Sequence, residues 1–295
     1  MKKVLVTGAS GLLGRSVFQK LKQEKWEVTG TSFSRKKNDL ITLDLTNENE
    51  VNKIIWELRP DFIIHCAAEK SPDACQNDPE KTLKINVEAT KRLAKLSLEI
   101  SAKLLYISTD YVFDGTKPPY QTFDTPNPIN AYGLSKRAGE IEILQTNSNS
   151  IILRVPVLYG PINSLNESAV TTIFSTVLNT NATKNDHWAI RYPTYTPDIA
   201  DAIYKIISLP EAKQLKGIYH FSGNESFTKY EMAKVMAEVF GLPHQHILAD
   251  PNPTPGAPRP KDCHLDNSAL KKQINLSFTD FRTAIKEVLG QFHKK

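Results

Sequence analysis

Cysteine is scarce: three in 295 residues, at Cys66, Cys75 and Cys263, with no C-x-x-C pair and no histidines at zinc-finger spacing. That argues against a disulfide scaffold and a structural zinc site, and an odd, small thiol count fits a reducing compartment. Cys66 lies in an apolar run and reads as a buried thiol. Long hydrophobic runs are missing too. Nothing approaches the ~18 consecutive apolar residues that mark a membrane helix. The apolar start Val4-Leu5-Val6 is broken at Thr7-Gly8, too early for a secretion signal. The expectation is a cytoplasmic protein with no membrane association. Charge of one sign is not concentrated either: 37 Lys and Arg face 32 Asp and Glu, a net charge of +5. The basic clusters are short, Arg35-Lys36-Lys37 and His293-Lys294-Lys295, and no nucleic-acid motif accompanies them. Asp73, Asp110 and Asp114 are too scattered to argue for a metal, so no metal site is expected.

What is present is an ordinary globular composition, 40% hydrophobic and 23% charged, on a chain long enough for one or two domains. Apolar runs at residues 3–7, 27–32, 61–67, 103–108 and 150–154 read as strands. Helical patterns at 12–24, 47–58, 79–100 and 132–144 separate them, with Leu13, Val17 and Leu21 spaced by four in the first. Such alternation predicts a parallel sheet with helices on both faces, because each crossover must pack back onto the sheet. The fold class is therefore α/β: a Rossmann-type doubly wound parallel sheet with a smaller C-terminal lobe. Residues 1–155 are assigned to the first unit and 156–295 to the lobe, with segments near 195–207 and 217–222 returning to the first unit. The proline-rich stretch from Pro251 to Pro260 reads as an ordered loop.

The loop Gly8-Ala9-Ser10-Gly11-Leu12-Leu13-Gly14 follows a strand and opens a helix. Its G-x-x-G-x-x-G spacing suits a tight turn whose amides approach a pyrophosphate at the positive end of the helix. About twenty residues on, an NAD site would carry an acidic residue for the ribose hydroxyls. Here the chain reads Ser34-Arg35-Lys36, and a guanidinium suits a 2′-phosphate, so NADP(H) is the expected cofactor. Asp44, next to Leu45, is placed equally well to accept from an adenine amino group or to cap the helix that starts near Asn47.

Tyr132 and Lys136 stand four apart at a helix start and share a face. A phenol is a poor acid or base near neutrality unless its anion is stabilised, and an ammonium one turn away is expected to lower its pKa. Thr109, at the end of the strand before, is the expected hydroxyl for a substrate carbonyl, with Ser108 as the alternative. His65, inside an apolar strand, reads as a satisfied core histidine. His187 and Trp188 are read as pocket lining or, at least as well, as packing, and Asn86, near the middle of the long helical pattern, is compatible with a helix-surface residue.

With these motifs assembled, the chain resembles the extended short-chain dehydrogenases/reductases, in their dTDP-4-dehydrorhamnose reductase branch. The run Ser108-Thr109-Asp110-Tyr111-Val112-Phe113-Asp114-Gly115 carries the likeness, with Pro193-Thr194 and Arg259-Pro260 followed by Leu265-Asp266. The resemblance implies reduction of the 4-keto group of a nucleotide sugar, with Thr109, Tyr132 and Lys136 as the catalytic set. It further implies cofactor contacts from Cys66, Ala67, Ala68, Asn86 and Val155, and substrate contacts from Glu69, Asp110, Tyr111, Val157 and Arg191. Within the branch the chain is similar to the regulatory beta subunits of methionine adenosyltransferase, through His65-Cys66-Ala67-Ala68-Glu69 and Arg154-Val155-Pro156-Val157-Leu158-Tyr159-Gly160. That likeness implies an adenosyltransferase catalytic subunit as partner and a role in S-adenosylmethionine synthesis. A homo-oligomer is compatible with either reading. Val157 stands where the branch's reductases carry a tryptophan against the sugar nucleotide. The terminal segment 279–292, with Phe281, Ile285, Val288 and Leu289 at helical spacing, is read either as a docking element or as an ordinary terminal helix.

Overall fold

The computed structural model describes residues 2–33, 39–210 and 215–293. Strand β1 (Lys3–Thr7) leads through the glycine loop into helix α1 (Leu12–Gln23). Next come β2 (Glu27–Ser32), β3 (Leu40–Thr42), α2 (Glu48–Leu58) and β4 (Phe62–His65). Two short helices, α3 (Pro72–Asn77) and α4 (Pro79–Leu83), precede a π-helical turn (Lys84–Glu88) and α5 (Ala89–Glu99). Strand β5 (Lys103–Thr109), helix α6 (Ala131–Thr146) and strand β6 (Ile151–Val155) complete the alternating half.

The main sheet is seven-stranded in the order β10-β6-β5-β4-β1-β2-β3, where β10 is Gly217–His220. Every pairing in it is parallel. Because both faces are covered, the central strands are continuously apolar rather than alternating. Val4, Val6, Ile64, Leu105 and Leu153 point to one face, against Leu13, Val17 and Leu21 of α1 and Ile199, Ile203 and Ile206 of α8 (Thr196–Ser208). Leu5, Ile63, Leu104 and Ile152 point to the other, against Val51 and Ile55 of α2, Leu93 of α5 and Ile143 of α6. The fold is the doubly wound α/β class that the sequence predicts.

The rest of the chain builds a second core. Strand β7 (Leu158–Tyr159) pairs with β9 (Thr194–Tyr195), and β8 (Thr183–Asp186) with β11 (Ile247–Asp250). Helices α7 (Ile173–Leu178), α9 (Lys229–Phe240) and α11 (Phe281–Leu289) pack around Tyr159, Phe174, Met232 and Met236, and α10 (Ser268–Lys271) packs under the main sheet. Phe281, Ile285, Val288 and Leu289 are all buried in this core, so the apolar stripe of the terminal helix is spent on its own lobe. Leu12, in the first turn of α1, belongs to the same core and ties the glycine loop to the lobe. Arg15 adds a polar tie, with its guanidinium 2.7 Å from Glu167 and 2.7 Å from the carbonyl of Pro161.

Two expectations are corrected. The pattern at 79–100 predicts one helix, but the chain runs from α4 through a π-helical turn into α5. The cap of α2 is Asn47, whose side chain accepts from the amide of Glu50 at 3.3 Å. Asp44 instead closes a local turn, accepting from the amide and hydroxyl of Thr46 at 2.9 and 2.7 Å.

Candidate functional site

The winding of the sheet reverses between β1 and β4, and the loops leaving these strands must diverge to opposite faces, which opens a crevice at their carboxyl ends. Glycine is required there twice. Gly8 has φ +68°, and a Cβ on it would sit 2.8 Å from the amide nitrogen of Ala67 in the loop after β4. A Cβ on Gly14 would lie 2.2 Å from the carbonyl oxygen of Gly8, so α1 can rest on the loop only without a side chain. Gly11 caps α1 without a side-chain acceptor, and no acidic residue stands in the first turn. The partial positive charge of this helix end is thus not neutralised locally and faces the crevice.

A cavity of about 1290 Å³ runs along these carboxyl ends and into the second lobe. Gly8, Ser10, Gly11, Leu12, Leu13 and Gly14 line it from the glycine loop, and Phe33, Asp44 and Leu45 from the loops after β2 and β3. Cys66, Ala67, Ala68 and Glu69 line it after β4, and Thr109, Asp110 and Tyr111 after β5. Tyr132 and Lys136 enter from α6, Val155 and Val157 from the end of β6, and Arg191 from the second lobe. Two further cations that sequence reasoning did not assign to the site, Lys229 and Arg259, share the wall with Arg191. Ser34 and Arg35 lie outside the described residues. His187 is not on the wall; its Nδ1 sits 2.9 Å from Thr228 Oγ1, and its ring packs at 4.9 Å on Tyr230.

Thr109, Tyr132 and Lys136 meet on one wall. The Thr109 hydroxyl donates to Asp110 Oδ1 at 3.0 Å. Contrary to the expected lowering, the phenol is held well above its ordinary pKa. Burial dominates, and the Thr109 hydroxyl opposes it only in part. Lys136 is itself buried, its ammonium 3.9 Å from the centroid of the Tyr106 ring. Burial pushes its pKa down to about 7, against the pull of Glu140 one turn on. Asp110 is raised to about 7 by burial, with Arg191 opposing. The Cys66 thiol, raised to about 12 by burial, is inert.

Around this wall lies a set of committed polar groups. His65 is the satisfied core histidine expected: Nδ1 is 2.7 Å from Thr7 Oγ1 and Nε2 3.1 Å from Thr90 Oγ1, and burial lowers its pKa to about 3. Asn86 does not reach the cavity wall. It is buried on the π-helical turn; its amide donates at 2.9 Å to Glu69 O and Ser135 Oγ, while its oxygen accepts from Glu69 N at 2.9 Å. With both amide hydrogens used, it clips the loop after β4 to α6 rather than offering a donor to a cofactor. Ser108 is likewise engaged, donating to Glu140 at 2.6 Å. Glu140 and Arg154 were missed by sequence reasoning, although a legible signal existed. An arginine inside a strand covered on both faces has to find a buried acid.

Comparison with known proteins agrees with this architecture. The RmlD substrate binding domain family model matches residues 1–294. Methionine adenosyltransferase 2 subunit beta of Bos taurus is 44% identical over 298 residues, covering 99% of this chain and 88% of that protein. The spore coat polysaccharide biosynthesis protein SpsK of Bacillus subtilis is 33% identical over 298 residues, covering 99% of this chain and 98% of that one. Among solved structures, dTDP-4-dehydrorhamnose reductase from Bacillus anthracis in complex with NADP superposes with a TM-score of 0.86 at 31% identity, covering 99% of each chain.

Proposed function

The chain belongs to the RmlD substrate binding domain family, and from that footing we propose that it binds NADP(H) and reduces the 4-keto group of a nucleotide sugar by hydride transfer. One observation carries this reading: Thr109, Tyr132 and Lys136 converge on the wall of the cavity that also contains the glycine loop. The loop fits a dinucleotide because Gly8 and Gly14 leave no Cβ in the cradle and the uncapped start of α1 favours a diphosphate. The resemblance to an NADP-bound reductase supports the same assignment. Residues 1–155 are the dinucleotide-binding unit in this reading and 156–295 the substrate lobe, to which α8 and β10 are exceptions.

The bound cofactor would supply the hydride. The chain's own part is to orient and to handle one proton. The Tyr132 phenol donates that proton to the carbonyl oxygen as negative charge develops there. Its high pKa suits a donor that holds its proton until an alkoxide forms. Lys136 lies one turn along the same helix face and contributes positive charge where the phenolate is left. Thr109 brings its hydroxyl to the same wall for the carbonyl oxygen, and at the lobe end Arg191 and Lys229 add positive charge, where Arg259 is paired with Asp73 at 2.6 Å.

A second reading is favoured by the higher identity to the adenosyltransferase subunit. In it the protein is an NADP-binding regulatory beta subunit that docks on a methionine adenosyltransferase and tunes S-adenosylmethionine synthesis with little turnover of its own. Val157, which presents no ring to a sugar nucleotide, supports it. Mixing the protein with NADPH and dTDP-4-dehydrorhamnose and following nicotinamide absorbance separates the two. Steady decay that Tyr132→Phe abolishes establishes the reductase. Flat absorbance, together with co-elution of an adenosyltransferase catalytic subunit, establishes the regulator.

A further inference from the structure

We propose that Tyr106 is a positioning residue for Lys136: its ring face, in place of a carboxylate, seats the Lys136 ammonium at the cavity wall and leaves its positive charge uncancelled. The ammonium lies 3.9 Å from the centroid of the Tyr106 ring, and both side chains are buried. The carboxylate that helical spacing offers to Lys136 is Glu140, four residues on, and its acceptor sites are already taken. Glu140 Oε1 accepts from Ser108 Oγ at 2.6 Å and from Arg154 Nε at 2.8 Å. Its Oε2 accepts from Arg137 Nη1 at 3.0 Å and from Arg154 Nη2 at 2.8 Å. A carboxylate has about four lone-pair sites, so none is left for Lys136.

The ring is held where the ammonium meets it. Tyr106 sits on β5 in register with His65 of β4, and the two ring centroids are 5.5 Å apart. His65 is tied in turn to Thr7 and Thr90. Gly139, three residues past Lys136 on α6, makes room for the hydroxyl end of the ring. A Cβ there would stand 2.7 Å from the Tyr106 hydroxyl and 2.8 Å from the carbonyl oxygen of Asn86. Helix α6 can therefore come down on the ring because residue 139 has no side chain. The Tyr106 hydroxyl is buried with no hydrogen-bond partner among the described residues, so the contact with Lys136 is made by the ring face alone.

The kind of partner has a chemical consequence. An aromatic face attracts a cation through its quadrupole and carries no net charge. A carboxylate would form a neutral pair with the ammonium, and the field of that pair at Tyr132, one turn away, would be largely cancelled. Seated on a ring, Lys136 remains a net positive charge beside the phenol. That use in proton transfer rests on the reductase reading; the seating of the ammonium does not. The titratable groups facing Lys136 are Glu140 of α6, the thiols of Cys66 after β4 and Cys75 of α3, and His65 of β4. None of them is altered by a change of the ring.

The test reads the ε-methylene resonances of Lys136 in protein labelled at lysine, identified as the signals absent from Lys136→Met. Protons above an aromatic face are shielded by its ring current. The wild-type signals are expected well upfield of the other lysines. Tyr106→Phe, which breaks no hydrogen bond, keeps that position, and Tyr106→Leu loses it. Ordinary lysine positions in the wild type, or upfield signals that persist in Tyr106→Leu, overturn the proposal. A second measurement keeps the shape of the ring and changes only its charge distribution, so it decides the matter even if Tyr106→Leu does not fold. Phenylalanine, difluorinated phenylalanine and pentafluorinated phenylalanine are incorporated in turn at position 106. Fluorine withdraws electron density from the ring face, and the ionisation midpoint of Lys136 is expected to fall in that order, by about one pH unit over the series. A side chain that only fills space would leave the midpoint unchanged, and that result overturns the proposal as well. Neither readout uses turnover, so a protein that reduces nothing counts against the reductase reading and leaves these outcomes standing.

Discussion

Glu140 on α6 and Arg154 on β6 form a two-point ion pair in the protein core, with Oε1 2.8 Å from Nε and Oε2 2.8 Å from Nη2. Both side chains are almost wholly inaccessible. Ser108 and Arg137 complete the carboxylate's partners at 2.6 and 3.0 Å. Burial, the largest single influence, would raise the Glu140 pKa, but the hydrogen bonds and charge of Arg154, with Ser108 and Arg137, together outweigh it and hold the carboxyl below its usual range. The pair links β6 to the helix that carries Tyr132 and Lys136, and Ser108 adds the end of β5, next to Thr109. Arg154→Met strands a buried carboxylate and is expected to cost about 3–5 kcal/mol. Replacing both, with Glu140→Leu added, is expected to recover part of that loss. Urea unfolding midpoints of the wild type and the two variants measure both effects. A single variant within error of wild type would show that the pair contributes nothing net.

Gly14→Ala tests the cradle. The added methyl would meet the carbonyl of Gly8 at 2.2 Å, backbone against backbone, so neither side can yield cheaply. The expected result is a loss of NADPH binding of at least about tenfold, with thermal unfolding several degrees lower, an overpacking cost of roughly 1–3 kcal/mol. Gly290→Ala is the control, because a Cβ there meets nothing within 4 Å. NADPH fluorescence titration of the two variants gives the comparison. Equal affinities would mean that the dinucleotide does not use this loop.

The contrast between these two sites shows what the sequence made legible. The glycine loop was readable because its constraint is local: a strand, a turn and a helix start within twelve residues dictate the spacing of Gly8, Gly11 and Gly14. The same holds for Tyr132 and Lys136, brought together by a single helical turn. Arg154 signals from within its strand that it needs a buried acid, but that the acid is Glu140 is decided only by the packing of α6 on the sheet. Asn86 was located but misassigned. Its burial comes from the π-helical turn at Lys84–Glu88, an insertion of backbone that the apolar periodicity of 79–100 does not record. The expected lowering of the Tyr132 phenol failed for a similar reason, because spacing reports the neighbour one turn away but not the loss of water around both groups.

Two buried histidines make stability fall in mild acid. His65 and His220 are neutral in the folded state, with burial lowering their pKa values to about 3 and about 4. Unfolded, each binds a proton near the ordinary value of about 6.5. The unfolded chain therefore holds more protons between these limits. Stability is fully present above about 6.5 and is lost as pH falls toward the folded values. At pH 5 each histidine is expected to cost about 2 kcal/mol relative to pH 7. Because all carboxylates also respond, the informative quantity is a difference. His65→Gln should lower stability at pH 7 by removing the ties to Thr7 and Thr90, yet lose less between pH 7 and pH 5 than the wild type does. Urea midpoints at the two pH values decide it, and parallel losses in both proteins would show that His65 titrates normally in the fold.

The proposed preference for NADP(H) over NAD(H) rests on Arg35, which lies outside the described residues. The surroundings that are described bear on it. Thr31, Ser32 and Phe33 line the cavity up to that point, and Asp44, the carboxylate on the wall nearby among the described residues, is already engaged by Thr46. An NAD site depends on a carboxylate that accepts both ribose hydroxyls, and Asp44 has half of its acceptor capacity committed to a local turn. A 2′-phosphate instead needs a cation, and Arg35 is the first guanidinium along the chain past the end of β2. Arg35→Ala is therefore expected to weaken NADPH about ten- to a hundredfold, the loss of roughly 1.5–3 kcal/mol for a charge-assisted contact, while changing NADH affinity less than twofold. Parallel fluorescence titrations of the two reduced cofactors give both numbers from one preparation. Equal weakening of NADPH and NADH would mean that Arg35 shapes the loop without touching a phosphate, and would remove the ground for proposing the phosphorylated cofactor.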